Sequence, residues 1–150
     1  MDAKMMISAI SEDTAKTDFE VHDAFGQLRA TVRQDGSVLG ARGDLLGYCD
    51  ASGQVGDVND SYMGEVTQPR DQCSIGHITD EADNCIGEID YGTSTIRDVQ
   101  GSTIAEISRA GEVCGHTGVR CGVLDGFTFH SLRTAAQYLM IVDPQFLKQC

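Results

Sequence analysis

A short pattern of apolar, glycine, any, apolar recurs through most of this chain and constrains its fold more than any other feature. It stands as Leu46-Gly47-Tyr48-Cys49, Val55-Gly56-Asp57-Val58, Met63-Gly64-Glu65-Val66, Ile75-Gly76-His77-Ile78 and Ile86-Gly87-Glu88-Ile89. The glycines 47, 56, 64, 76 and 87 are 9, 8, 12 and 11 residues apart by subtraction. Degenerate copies follow as Ile96-Arg97-Asp98-Val99, Ile104-Ala105-Glu106-Ile107 and Cys121-Gly122-Val123-Leu124, and Val38-Leu39-Gly40 is an early one.

Side chains alternate faces along a strand, so Cys85, Gly87, Ile89 and Tyr91 share one face and Ile86, Glu88 and Asp90 the other. The result is an apolar face with a glycine in its centre, where a backbone or a bulky side chain can approach closely or the strand can bulge. Turn-forming pairs separate the copies: Asp35-Gly36, Ser52-Gly53, Asn59-Asp60, Asp83-Asn84, Gln100-Gly101, Ala110-Gly111 and Asp125-Gly126. Strand and turn therefore alternate across residues 20–130, a mainly β region. Short glycine-punctuated strands at such spacing predict a β-solenoid or roll, with a β-sandwich or barrel as the alternative.

The ends differ from the repeat. Leu132, Ala135, Ala136, Leu139 and Val142 recur at helical spacing, with Ser131 placed to cap and Pro144 beyond. Residues 131–150 are therefore expected to form a C-terminal capping helix and tail that covers an open sheet edge. Residues 1–19, with Met1, Met5, Met6, Ile7 and Ile10 ahead of a polar run, read as an N-terminal arm.

The 150 residues suit one domain, and 41% hydrophobic content is enough for a core. The net charge of -12 repels nucleic acid and anionic membrane, and neither is expected as a partner. Eleven acidic residues lie between Gly43 and Asp90 against one base, Arg70, so a partner with a basic surface fits best. No apolar run approaches the roughly 20 residues of a membrane span, and the first residues carry no signal-peptide pattern. The six cysteines, Cys49, Cys73, Cys85, Cys114, Cys121 and Cys150, are expected to be reduced in a cytoplasmic setting, extending to a cytoskeletal or ciliary one.

Chemistry-bearing patterns are few. Asp57, Asn59 and Ser61 match the first ligand positions of a calcium loop, but Tyr62 and Gln68 replace its glycine and glutamate. Cys114, His116 and Cys121 offer three zinc ligands within eight residues, and Cys73, His77 and Cys85 a looser set, both without a paired-cysteine knuckle. Cys114 with His116 or His130 would be the only nucleophile and base to consider, while His22 and His77 have no partner in the pattern. No catalytic, cofactor or metal site is assigned. The expected function is a non-enzymatic structural or adaptor protein, an acidic β-repeat module that docks into a larger assembly of other proteins. The alternative is a small metal- or ligand-binding β-barrel, or a cysteine-dependent enzyme, using the Cys114–Cys121 region.

Overall fold

The computed structural model describes residues 17–69 and 73–150. The expected N-terminal arm lies outside the described residues except for Thr17–Phe19, which open the first strand. Twelve strands follow in the described residues: β1 (Thr17–Asp23), β2 (Leu28–Arg33), β3 (Ser37–Gly40), β4 (Leu45–Cys49), β5 (Gln54–Gly56), β6 (Tyr62–Val66), β7 (Ile75–Asp80), β8 (Cys85–Asp90), β9 (Thr95–Arg97), β10 (Thr103–Ile107), β11 (Glu112–Gly115) and β12 (Arg120–Asp125). Each pairs antiparallel with its sequence neighbours, and β1 pairs with β12, so the sheet closes into a barrel. This is the barrel alternative and corrects the solenoid reading. A solenoid needs parallel stacking of coils, whereas links this short can only return the chain antiparallel.

The ring consists of six hairpins built alike. On each odd strand an inward β-branched residue faces a glycine or alanine nine positions later: Val21 and Ala30, Val38 and Gly47, Val55 and Gly64, Ile78 and Gly87, Ile96 and Ala105, Val113 and Gly122. The six odd-strand members are at most 1% exposed, so they form one continuous inner belt. Directly before each small residue the register skips one position, a β-bulge at Arg29, Leu46, Met63, Ile86, Ile104 and Cys121. A bulge re-aims its extra side chain. Leu46, Met63, Ile86 and Ile104 pack against the core, while Arg29 and Cys121 reach the C-terminal segment instead.

That segment fills the lumen. A 3-10 turn (Phe129–Ser131) leads into α1 (Leu132–Gln137), a π-helical turn (Tyr138–Val142) and α2 (Gln145–Lys148). Ala135, Ala136, Gln137, Tyr138 and Leu139 are all 0% exposed, and five successive buried residues mean burial on every side of the helix. The helix therefore covers no edge, because a closed ring has none, and this corrects the capping role expected for it. Ser131 does not cap it either, as its hydroxyl donates to Asp18 Oδ1 at 2.8 Å.

The small residues make the space. A Cβ on Gly87 would stand 2.5 Å from the Arg97 carbonyl oxygen and 3.3 Å from Met140 Cε. One on Gly64 would stand 3.0 Å from Ile141 Cδ1. Polar contacts fix the depth of the plug. Gln137 Nε2 donates to the Gln54 carbonyl at 3.0 Å, and Arg29 Nη2 donates to Asp143 Oδ2 at 2.8 Å. The buried Tyr138 hydroxyl donates to the same oxygen at 2.7 Å, and burial pushes its pKa up.

Leu139 stands at the centre of this packing. Leu139→Ala is expected to cost about 2–5 kcal/mol, the range for a fully buried leucine that leaves a cavity. Urea unfolding followed by circular dichroism measures it, and an exposed control such as Val58→Ala should stay within about 0.5 kcal/mol.

Candidate binding face

In an antiparallel ring the turns within hairpins all lie at one mouth, and the links between hairpins lie at the other. The hairpin mouth carries the turns Asp23–Gln27, Gly40–Asp44, Asp57–Ser61, Asp80–Asn84, Asp98–Ser102 and Gly115–Val119. In every one the first amide donates to the fifth carbonyl and the fourth amide to the first carbonyl. The fourth residue, Gly26, Gly43, Asp60, Asp83, Gly101 or Gly118, has φ between 63° and 88°. This is the type I turn with a left-handed fourth residue that suits hairpin twist.

Where the first residue is aspartate, its Oδ1 accepts the third and fifth amides at 2.8–3.0 Å, as in Asp23, Asp57, Asp80 and Asp98. The Asp57, Asn59, Ser61 pattern considered for calcium is one copy of this turn. Asp57 Oδ1 holds the Asn59 and Ser61 amides at 2.8 and 2.9 Å.

With the first and fourth positions given to the backbone, the second, third and fifth carry whatever side chain the surface needs. At this mouth they carry apolar groups in open water: Phe25 is 90% exposed, Val99 64%, Val119 58% and Val58 51%. Because β12 pairs with β1, the turns of Val99, Val119 and Phe25 are consecutive around the rim and form an apolar arc. Between Phe25 and Val119 opens a cleft of about 180 Å³, floored by Phe146 and the Cys121–Cys150 pair. The rest of the rim is anionic. Its three turns hold six acidic residues, Asp44, Asp57, Asp60, Asp80, Glu81 and Asp83, with Arg42 as their one arginine or lysine.

The linker mouth is different. It carries Arg33, Arg109 and Arg133 among its carboxylates, and its exposed Phe129 is occupied, edge-on to Phe127 at 6.3 Å with Arg109 over its ring at 5.5 Å. Three of its aspartates are held ionised. The Ser37 hydroxyl and amide hold Asp35 below the usual carboxylate range. Burial works to raise Asp50 and Asp90, but hydrogen bonds from Ser52 and Gln54 to the first, and from Ser74 and Arg97 to the second, outweigh it.

The sequence-level metal and nucleophile sets do not assemble. Cys121 forms a disulfide with Cys150, Cys114 is partly exposed on β11, and His116 is exposed in the adjoining turn. His130 lies past the end of β12, at the opposite mouth from His116. Cys73 precedes β7 at the linker mouth, whereas Cys85 opens β8 at the hairpin mouth. The Cys121–Cys150 bond corrects the expectation of six reduced thiols, because threading of the helix delivers the chain's last residue to the rim of β12. A Cβ on Gly115 would stand 2.7 Å from Cys150 Sγ, so glycine there admits the bond. The remaining four cysteines are free, and burial pushes the Cys49 thiol up to about 12.

Sequence reasoning passed over Phe25 and Val119. A large apolar residue inside a turn signal, as in Asp23-Ala24-Phe25-Gly26, was the available sign. No protein family, curated protein or solved structure matches this chain.

Two measurements follow. In native protein a thiol reagent should label Cys73 and Cys85 first and leave Cys49, Cys121 and Cys150 untouched, as read by peptide mass spectrometry. Cys150→Ser should then lower stability by about 3.6 kcal/mol, the value for a loop of this size, and the melting temperature by roughly 7–14 °C. The second concerns acid. A carboxylate whose folded pKa lies below its unfolded value stabilises the fold above the unfolded value and loses that contribution as pH falls through the folded one. Asp35, Asp50 and Asp90 should therefore add stability above about pH 4 and lose it below. Asp90→Asn should flatten the acid limb of a stability–pH curve.

Proposed function

We propose that this protein is a non-enzymatic structural or adaptor module that docks into a larger protein assembly through its hairpin mouth, against a partner carrying basic and apolar groups. The observation that carries this reading is the pairing of an open apolar arc with an anionic arc on one rim. An exposed phenylalanine at a turn tip gains nothing for the isolated fold, and single-sign charge beside it selects and steers an oppositely charged partner.

The filled lumen supports the same reading. Small-molecule barrels keep their interior open, whereas here the chain's own helix occupies that space, so recognition falls to the outside. The outer wall bears Glu65, Glu88, Arg97 and Glu106, side chains suited to water rather than lipid. No helix among the described residues is long and apolar enough to cross a membrane. Four unpaired thiols, two of them exposed, favour a cytoplasmic setting, proposed here to include a cytoskeletal or ciliary assembly, and the Cys121–Cys150 bond is the one feature that weighs against it.

Carbodiimide crosslinking in native extract tests the proposal, since it joins carboxylates directly to lysines. Crosslinks from Asp44, Asp57 or Asp98 to lysines of one or two fixed partners are expected. The double variant Phe25→Ser, Val119→Ser should reduce them at least tenfold, the scale of losing a buried apolar anchor. Only intramolecular links, or partner links indifferent to that variant, would overturn the reading.

A further inference from the structure

We propose that Glu20, His22 and Asp125 form a binding site for a divalent first-row transition metal, of which zinc is the reference ion, on the outer wall where the first strand closes onto the last. The inference does not depend on the assembly reading.

The strand geometry assembles the ligands. Glu20 and His22 are two apart on β1, so both point outward, opposite to the buried Phe19 and Val21. Glu20 sits directly across from Asp125 in the β1–β12 register, and His22 across from Val123. One ligand atom from each of the three residues lies within 4.8 Å of the others. His22 Nε2 is 3.2 Å from Glu20 Oε1, so this nitrogen already faces the carboxylates.

The other ring nitrogen is engaged from outside the cluster. His22 Nδ1 lies 3.4 Å from the Gly26 carbonyl oxygen, which is supplied by the following turn. A backbone carbonyl on Nδ1 is the usual device that orients a ligating histidine and leaves Nε2 for the metal.

The register supplies a second argument. Two carboxylates directly opposite across an antiparallel pair repel one another, and most sheets avoid the arrangement. A cation between them turns that cost into attraction, at the one seam that closes the ring. One imidazole nitrogen and two carboxylate oxygens match zinc, manganese or ferrous iron, and water completes the shell. Calcium needs six to eight oxygens, which this set does not offer.

The test titrates zinc chloride into the full chain by calorimetry after Cys73, Cys85 and Cys114 have been alkylated in the native protein, Cys49 being buried and Cys121 and Cys150 bonded, so that accessible thiols cannot bind the ion. One zinc per chain is expected, with a rise in melting temperature as zinc increases. His22→Ala and Asp125→Asn should each weaken binding at least tenfold, and magnesium at equal concentration should not compete. On alkylated wild-type protein, nitrogen-detected NMR should show zinc shifting His22 before His77, His116 and His130, a readout that needs no variant to fold. Zinc that binds His22→Ala as it binds wild type, a different histidine shifting first, competition by magnesium, or no stoichiometric uptake would each overturn the proposal.

Discussion

A twelve-stranded ring encloses more space than its own inward side chains can fill, and everything else in this structure answers that constraint. Eight strands are about the limit at which side chains alone close a barrel interior. A void across twelve would forfeit packing contacts over its whole lining. The chain meets the demand with its last twenty residues. Their helix is buried at five successive residues, and the wall yields to the segment at Gly64, Gly87 and Gly122, where an added Cβ would meet Ile141, Met140 and Phe146. Small residues on the wall and bulky ones on the plug are two halves of one packing solution. The glycines that weaken individual strands are therefore what stabilises the whole.

The same solution determines where the protein can meet other molecules. With the lumen occupied, only the outer wall and the two rims remain. The turn repeated at the hairpin mouth uses its first and fourth residues for backbone geometry and leaves the others without a structural duty. Phe25, Val58, Val99 and Val119 stand at these uncommitted positions, so their apolar character has no explanation in folding. At the linker mouth the comparable residues are consumed by the fold: Asp90 binds Ser74 and Arg97, Asp18 receives Ser131, and Phe129 lies under Arg109. The polarity of the molecule thus follows from which end has structural work to do.

Much of the local structure was legible. The apolar-glycine doublets Leu46-Gly47, Met63-Gly64, Ile86-Gly87 and Cys121-Gly122 mark bulges on even strands, and the turn pairs fell between strands except at Asp125-Gly126, whose Asp125 ends β12. The period was misread because Val55-Gly56 and Ile75-Gly76 mimic the doublet on odd strands, where their glycines play other parts. Taken per hairpin, the bulges at 29, 46, 63, 86, 104 and 121 are 17, 17, 23, 18 and 17 apart by subtraction, a far steadier repeat than single strands give. Closure was not legible, since it rests on β1 meeting β12 across the whole chain and no local pattern encodes a distant pairing. The apolar spacing of the helix pointed to a cover over a sheet edge, whereas Gln137 and Tyr138, polar by type, are also buried, with hydrogen bonds to Gln54 and Asp143. The apolar arc was illegible for a related reason. The turn of Phe25 comes beside that of Val119 only once the ring has closed.

Closure and plugging are in consequence a single event. Each hairpin is local and can form early, but an empty closed ring would carry the void, and an open sheet would leave the helix exposed on one side. The two bulges that depart from apolar character lie where this event is completed. Arg29 on β2 and Cys121 on β12 flank β1, the strand that closes the ring, and the first binds Asp143 and Gln149 while the second bonds Cys150. Both hold the tail after it has traversed the lumen. On the two strands that flank β1, a half-buried ion pair and a covalent bond tie the C-terminal segment to the wall.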